Sequence, residues 1–120
     1  MPTKPIEWIG SSLESLRHLE AEVRDEIGFA LWQVQQGFDP PDWKPMSSVG
    51  FGVREIRIHA GQEIRVTYVA NFPEAVYVLH VFMKKSSKTS RRDLNLIAAR
   101  FREMLRGRRS RIERWQARSK

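Results

Sequence analysis

Apolar positions recur along this chain with two periods, one near 3.6 residues and one near 2, and the change between them divides it. From about Glu20 to Gln36, the residues Val23, Ile27, Ala30, Leu31 and Val34 return every three or four positions, which predicts an amphipathic helix. Glu20 and Glu22 lie in its first turn, where the helix dipole favours anions, and Gly37 is placed to end it as a left-handed cap. Upstream, "PIEWI" (5–9) reads as a short strand closed by Gly10. Ser11 with Glu14 has the form of a capping box for a short helix carrying Leu13 and Leu16. The two helices are close enough in sequence to form an αα-hairpin.

The period then shortens. "VREIRI" (53–58), "IRVTYVA" (64–70) and "AVYVLHVFM" (75–83) are rich in β-branched and aromatic residues and are joined by short turns, which predicts an antiparallel meander. The third run is apolar on both faces, as a central strand is. Alternation turns Ile56, Ile58, Ile64, Val66 and Tyr68 toward the helices and leaves Glu55, Arg57, Arg65 and Thr67 on the opposite face. Before the meander, "FDPPDWKP" (38–45) is expected to be a proline-stiffened connection outside any ladder. After it, Ser90 and Asp93 cap a final helix that buries Leu94, Ile97, Ala98, Phe101, Met104 and Leu105 and ends at Gly107. The sum is one α+β domain over 1–106: a twisted, mainly antiparallel four-stranded sheet, an N-terminal αα-hairpin and a C-terminal helix. Residues 107–120 form a basic extension.

A chain of 120 residues with 41% hydrophobic content can bury a core without staples, and it has no cysteine to supply any. No apolar run is long enough to span a membrane and no secretory signal opens the chain, so a cytoplasmic location is expected. The formal charge of +7 is uneven. Residues 84–120 carry fourteen Lys/Arg against three acidic residues, a net of +11, and the remainder carries seven against eleven, a net of −4. A basic end on a slightly acidic body suggests a polyanion, most simply nucleic acid, although a solvated basic tail accounts for charge alone equally well.

The familiar catalytic inventories are mostly missing. His18, His59 and His80 have no cysteine or second histidine at metal-ligand spacing, so neither a metal nor any other cofactor is expected. "GFG" (50–52) lacks the strand-then-helix setting of a phosphate loop. Ser86, Ser87 and Ser90 suit turn and cap duty, His80 reads as a satisfied core histidine, and the four tryptophans read as core or cover. A cationic site remains, built from arginine and lysine. RNA brings its own nucleophile in the 2′-hydroxyl, so cutting it requires alignment, charge stabilisation and proton transfer rather than a metal. Arginine forks match phosphate, and a lysine crowded by other cations loses its proton more easily than a free one. Against this, Arg57 and Arg65 could simply pair with Glu55 and Glu63 on the sheet surface, the reading favoured by the residues alone.

The element order, with "GVREIRI", "IRVTYV" and "AVYVLHVFMKKSSKTSRRDLNLI", resembles the RelE/ParE toxin superfamily, in particular its phage-derived HigB-like branch, over roughly residues 4–106. The resemblance implies a compact RelE-like fold with a basic cleft. It also implies a toxin of a toxin–antitoxin module that cuts mRNA on the ribosome and is neutralised by a helix-turn-helix antitoxin. Position by position it implies Arg65, Lys85 and Arg57 as catalytic residues, with Lys84, Lys88, Arg54, Arg91 and Arg92 contacting RNA. Many members add a tyrosine or histidine near the end of the last strand or at the C-terminus, and this chain has neither after His80. The same fold also serves ParE-like inhibitors of DNA gyrase and proteins that bind nucleic acid without cutting it.

Overall fold

A computed structural model describes residues 3–119. The elements follow in the order β1 (Ile6–Trp8), α1 (Ser12–Arg17), α2 (Ala21–Gln35), β2 (Trp43–Pro45), β3 (Val53–His59), β4 (Glu63–Val69), β5 (Val76–Met83) and α3 (Arg91–Arg118). The sheet has five strands in the order β1-β5-β4-β3-β2, antiparallel except for the β1–β5 pair. The fold class is the expected α+β; the strand count is not. β2 lies within the stretch whose prolines seemed to forbid pairing. It is an edge strand, where a proline costs no ladder bond, and it ends at Pro45 opposite Arg54.

Helix α2 buries the predicted stripe in full: Val23, Ile27, Ala30, Leu31 and Val34 pack with Ile56, Ile58, Ile64, Val66 and Tyr68. Burial of this kind contributes about 1.5–3 kcal/mol for each large side chain. Gly37 ends α2 at φ +89°, with Gly37 N–H donating to Val34 O and Phe38 N–H to Gln33 O, a Schellman arrangement. Before α1, Ser11 is at the N-cap but closes no capping box. Its hydroxyl accepts instead from Arg100 of α3 at 2.8 Å.

The opposite sheet face carries a second core of Val53, Val69, Tyr77 and Leu79 under Ile97 and Met104 of α3. Leu94, Ala98, Phe101 and Leu105 line the same helix but are only half-buried. Gly107 does not end α3, which runs unbroken to Arg118. Tertiary contacts carry it past the glycine: Arg108 pairs with Glu74 at 2.6 Å and covers the Phe72 ring at 4.1 Å, and Arg111 donates to the Tyr77 hydroxyl at 3.1 Å. Residues 107–118 are thus the end of a 28-residue helix and not a frayed tail. None of the helices among the described residues is long and apolar enough to cross a membrane.

Candidate nucleic-acid interface

Strand register sets the floor of the site. On the face away from α1 and α2, Arg57 of β3, Arg65 of β4 and Phe82 of β5 stand abreast, and Glu55, Thr67 and His80 form the next row. Adjacent strands lie about 4.8 Å apart, so each row crosses the sheet in steps of one side chain. The third row, Val53 with Val69 and Tyr77, is the one that joins the α3 core. The edge strands add Lys44, level with Glu55, and Glu7, level with Tyr77, to the same face.

Arg65 and Arg57 both converge on Glu55. Arg65 Nε lies 3.5 Å and Arg57 Nε 3.6 Å from Glu55 Oε1, and Arg65 Nη2 donates to Glu63 Oε1 at 3.2 Å. Glu55 is 1% exposed and Arg65 5%, so these groups are sunk in the floor and not perched on the rim. The distances to Glu55 are long. Glu55 Oε1 and both Nε atoms have no hydrogen-bond partner, so the pairing is coulombic and two directed donors remain unspent.

One strand over, a cleft of about 350 Å³ opens between the end of β5 and the start of α3. Lys84, Lys85, Lys88 and Arg92 line it with His80 and Asp93. Lys84 N–H donates to Glu63 O at 2.7 Å, which extends the ladder past Met83 and fixes where the basic loop leaves the sheet. Ser86 donates to Lys88 O, and Ser90 caps α3 by accepting from Asp93 N–H, so both serines hold backbone as expected. The α3 N-terminus adds a partial positive charge to the same cleft.

His80 binds the two parts together. Its ring stacks on Phe82 with centroids 4.6 Å apart, and Nε2 lies 2.8 Å from Asp93 Oδ1. Arg100 Nη1 faces Nδ1 at 3.4 Å, which assigns the proton to Nε2 and makes it the donor to Asp93. Burial lowers the pKa of His80 and Arg100 pushes the same way, while Asp93 opposes both. It is a satisfied, largely buried histidine that also walls the cleft.

The structure separates the eight residues singled out from sequence. Lys84, Lys85, Lys88 and Arg92 share the cleft, and Arg57 and Arg65 share Glu55 in the floor beside it. Arg91 is exposed but does not line the cleft. Arg54 lies on the other face, opposite Tyr68, paired with Asp39 at 3.1 Å and stacked over Trp43 at 4.3 Å. It takes no part in this site. Two of the tryptophans expected to be core or cover are open to solvent, Trp32 at 51% and Trp115 at 68%. The pairing of Arg57 and Arg65 with Glu55 and Glu63 that the residues alone favoured is present, whereas Arg100 and the contact of Asp93 with His80 were passed over. Glu55 shares the alternation slot of Arg57 and Arg65, and that was the signal for the pairing.

A family model for "Phage derived protein Gp49-like (DUF891)" matches residues 14–102. The chain belongs to this family. It is a phage-derived, toxin-related family with RelE/HigB-like character. The match begins inside α1, covers β2 to β5 with the floor and the basic cleft, and stops inside α3. No curated protein matches the chain. Among the described residues, no group of three or more His, Asp or Glu side chains could hold a metal ion.

Proposed function

We propose that this Gp49-like chain is the toxin of a toxin–antitoxin module and an endoribonuclease that cuts mRNA on the ribosome. One observation carries the reading. Beside the sheet floor that holds Arg57 and Arg65 on Glu55 opens a cleft walled by three lysines and an arginine. Phosphate entering the cleft meets the lysines and Arg92 directly, with the partly exposed Arg57 and the field of the buried Arg65 beside it. Glu55, held between Arg57 and Arg65, positions both guanidiniums before substrate arrives, so little reorganisation accompanies charge build-up on the phosphate. The 2′-hydroxyl gives its proton to solvent water as its oxygen attacks the adjacent phosphorus, the bond to the 5′-oxygen breaks, and the products are a 2′,3′-cyclic phosphate and a free 5′-hydroxyl. Lys85 lines the cleft where a proton can be passed to that leaving oxygen. The cellular partners in this reading are the ribosome with its mRNA in the cytoplasm, and a helix-turn-helix antitoxin encoded beside the gene.

A second reading, nucleic-acid binding without cleavage, draws on a specific feature. Arg65 already faces two carboxylates, and both ring nitrogens of His80 are engaged. Incubating the protein with mRNA-programmed ribosomes kept intact by magnesium separates the two. Cleavage with cyclic-phosphate ends supports the nuclease. Binding with intact message supports the second reading, and cut ends bearing a 5′-phosphate and a 3′-hydroxyl would overturn the 2′-hydroxyl route.

A further inference from the structure

The family match ends before the last four turns of α3, yet those turns are anchored and carry an unusual face. Arg108 and Arg111 fasten the helix to Glu74, Phe72 and Tyr77, and beyond them Ile112 and Trp115 are 40% and 68% exposed. At about 100° per residue, Arg108, Arg111, Ile112 and Arg118 all fall within about 60° of Trp115 around the axis. Arg114 is its chain neighbour. Glu113, the only acidic residue from 107 to 119, lies about 160° away on the far side. Glu74, Arg108, Arg111, Ile112 and Trp115 enclose a cleft of about 280 Å³.

Solvation alone explains this face poorly. Arg111 with Arg114, and Arg114 with Arg118, are like charges three and four residues apart, a spacing that weakens an isolated helix by about 0.2–0.5 kcal/mol per pair. The cations in this segment are all arginine in residues 107–119, and they surround an indole left in water. Guanidinium planes and an exposed aromatic are the groups that stack on unpaired bases while forking to phosphates. The anchor also makes the arm rigid, so little ordering opposes binding.

We propose that the C-terminal end of α3 is a second RNA-binding surface, on which Trp115 stacks against an unpaired base while Arg114 and Arg118 grip flanking phosphates. It lies about 35 Å along the helix from Arg92, at about 1.5 Å per residue, too far for one phosphate group to touch both. The arm thus holds a segment of structured RNA distinct from the strand in the basic cleft. Naming RNA as the occupant rests on the proposed function, and the test keeps the two apart.

The probe is a fluorescein-labelled RNA hairpin with an unpaired loop, 2′-O-methylated so that it cannot be cut, titrated with full-length protein at several salt concentrations. Trp115→Ala should weaken binding roughly tenfold, the loss of about one stacked base, with the salt slope unchanged. Arg114→Gln/Arg118→Gln should reduce the slope of log K against log salt by about 1.4, for two single-strand phosphate contacts. Cleavage of unmodified message is followed in parallel. RNA binding through the arm without cleavage would sink the nuclease and leave the arm standing. Cleavage and hairpin binding that ignore both variants would overturn the arm alone. If the variants keep RNA affinity but lose the helix-turn-helix protein encoded beside the gene, the arm serves a protein partner and the RNA assignment is wrong.

Discussion

Arg65 Nε and Glu55 Oε1 face each other across β4 and β3 at 3.5 Å, with both side chains almost sealed from water. Sequence reasoning placed Arg65 on the sheet surface, where truncation would cost little. Buried, it has a different energetic standing: removing one partner of an enclosed ion pair leaves the other charge uncompensated. Arg65→Ala should lower unfolding stability by about 3–5 kcal/mol, read from the urea midpoint. Glu55→Gln/Arg65→Met should recover part of the loss. A drop under about 1 kcal/mol for Arg65→Ala would mean that water reaches Glu55 and that the floor is open. Any toxicity lost in Arg65→Ala must therefore be read beside its melt, and Arg65→Lys is the better probe of function.

The two buffered histidines should pull stability in opposite directions with pH. Burial lowers the His80 pKa, so the unfolded chain takes up a proton before the native one does. Stability from this group is present above the unfolded value of about 6.5 and falls away as pH drops below it. His59 is the reverse: hydrogen bonds to Glu63 and Asp42 raise its pKa, so its contribution is present below about 6.5 and is lost as pH climbs through the raised value. His80→Gln should flatten the acid side of the stability profile, and His59→Gln the side above neutrality. Unchanged profiles in both would show that these contacts do not persist in solution.

Much of the fold could be read from the sequence because local pattern and tertiary packing agreed. The α2 stripe, the three meander strands and the split of Glu55, Arg57, Arg65 and Thr67 from the apolar face followed from period, and the Ser90–Asp93 cap from its residue types. The misses share one cause, which is that a distant residue overrode the local signal. Arg100 took the Ser11 hydroxyl that a capping box would have used. Backbone pairing with β3 recruited Trp43–Pro45 despite its prolines. For the site, alternation found the arginines, but their depth and Glu55 as their shared anchor depend on packing across three strands.

Gly107 gives a direct check on the continuous helix. It is helical, and an added Cβ would come no nearer than 4.0 Å to the Arg111 side chain. Gly107→Ala should therefore stabilise the protein by about 0.5–1 kcal/mol, by removing freedom from the unfolded chain and adding helix propensity. Thermal unfolding measures it. A destabilised variant would mean that the helix breaks at this glycine in solution, and the rigid arm beyond it would go too.

The cleft yields the sharpest functional test. Lys85, Lys84, Lys88 and Arg92 all line it, whereas Arg91, one residue away from Arg92, is exposed and outside it. Arg91 is therefore the proper control for long-range attraction, and Arg92 is not. Lys85→Ala should reduce single-turnover cleavage by about 10²–10³, the loss expected when a preorganised group facing transition-state charge is removed. Stability should change by no more than about 0.5 kcal/mol, since an exposed loop lysine supports no packing. Arg91→Ala should lower ribosome affinity slightly and reduce the salt slope by about 1 or less, with the cleavage step unchanged. Arg92→Ala should fall between them, because its side chain reaches the cleft wall from the first turn of α3. The order Lys85, then Arg92, then Arg91 in severity is the outcome that a defined phosphate site requires. Equal, mild losses at all three would reduce the cleft to a diffuse cationic surface that attracts RNA without acting on it.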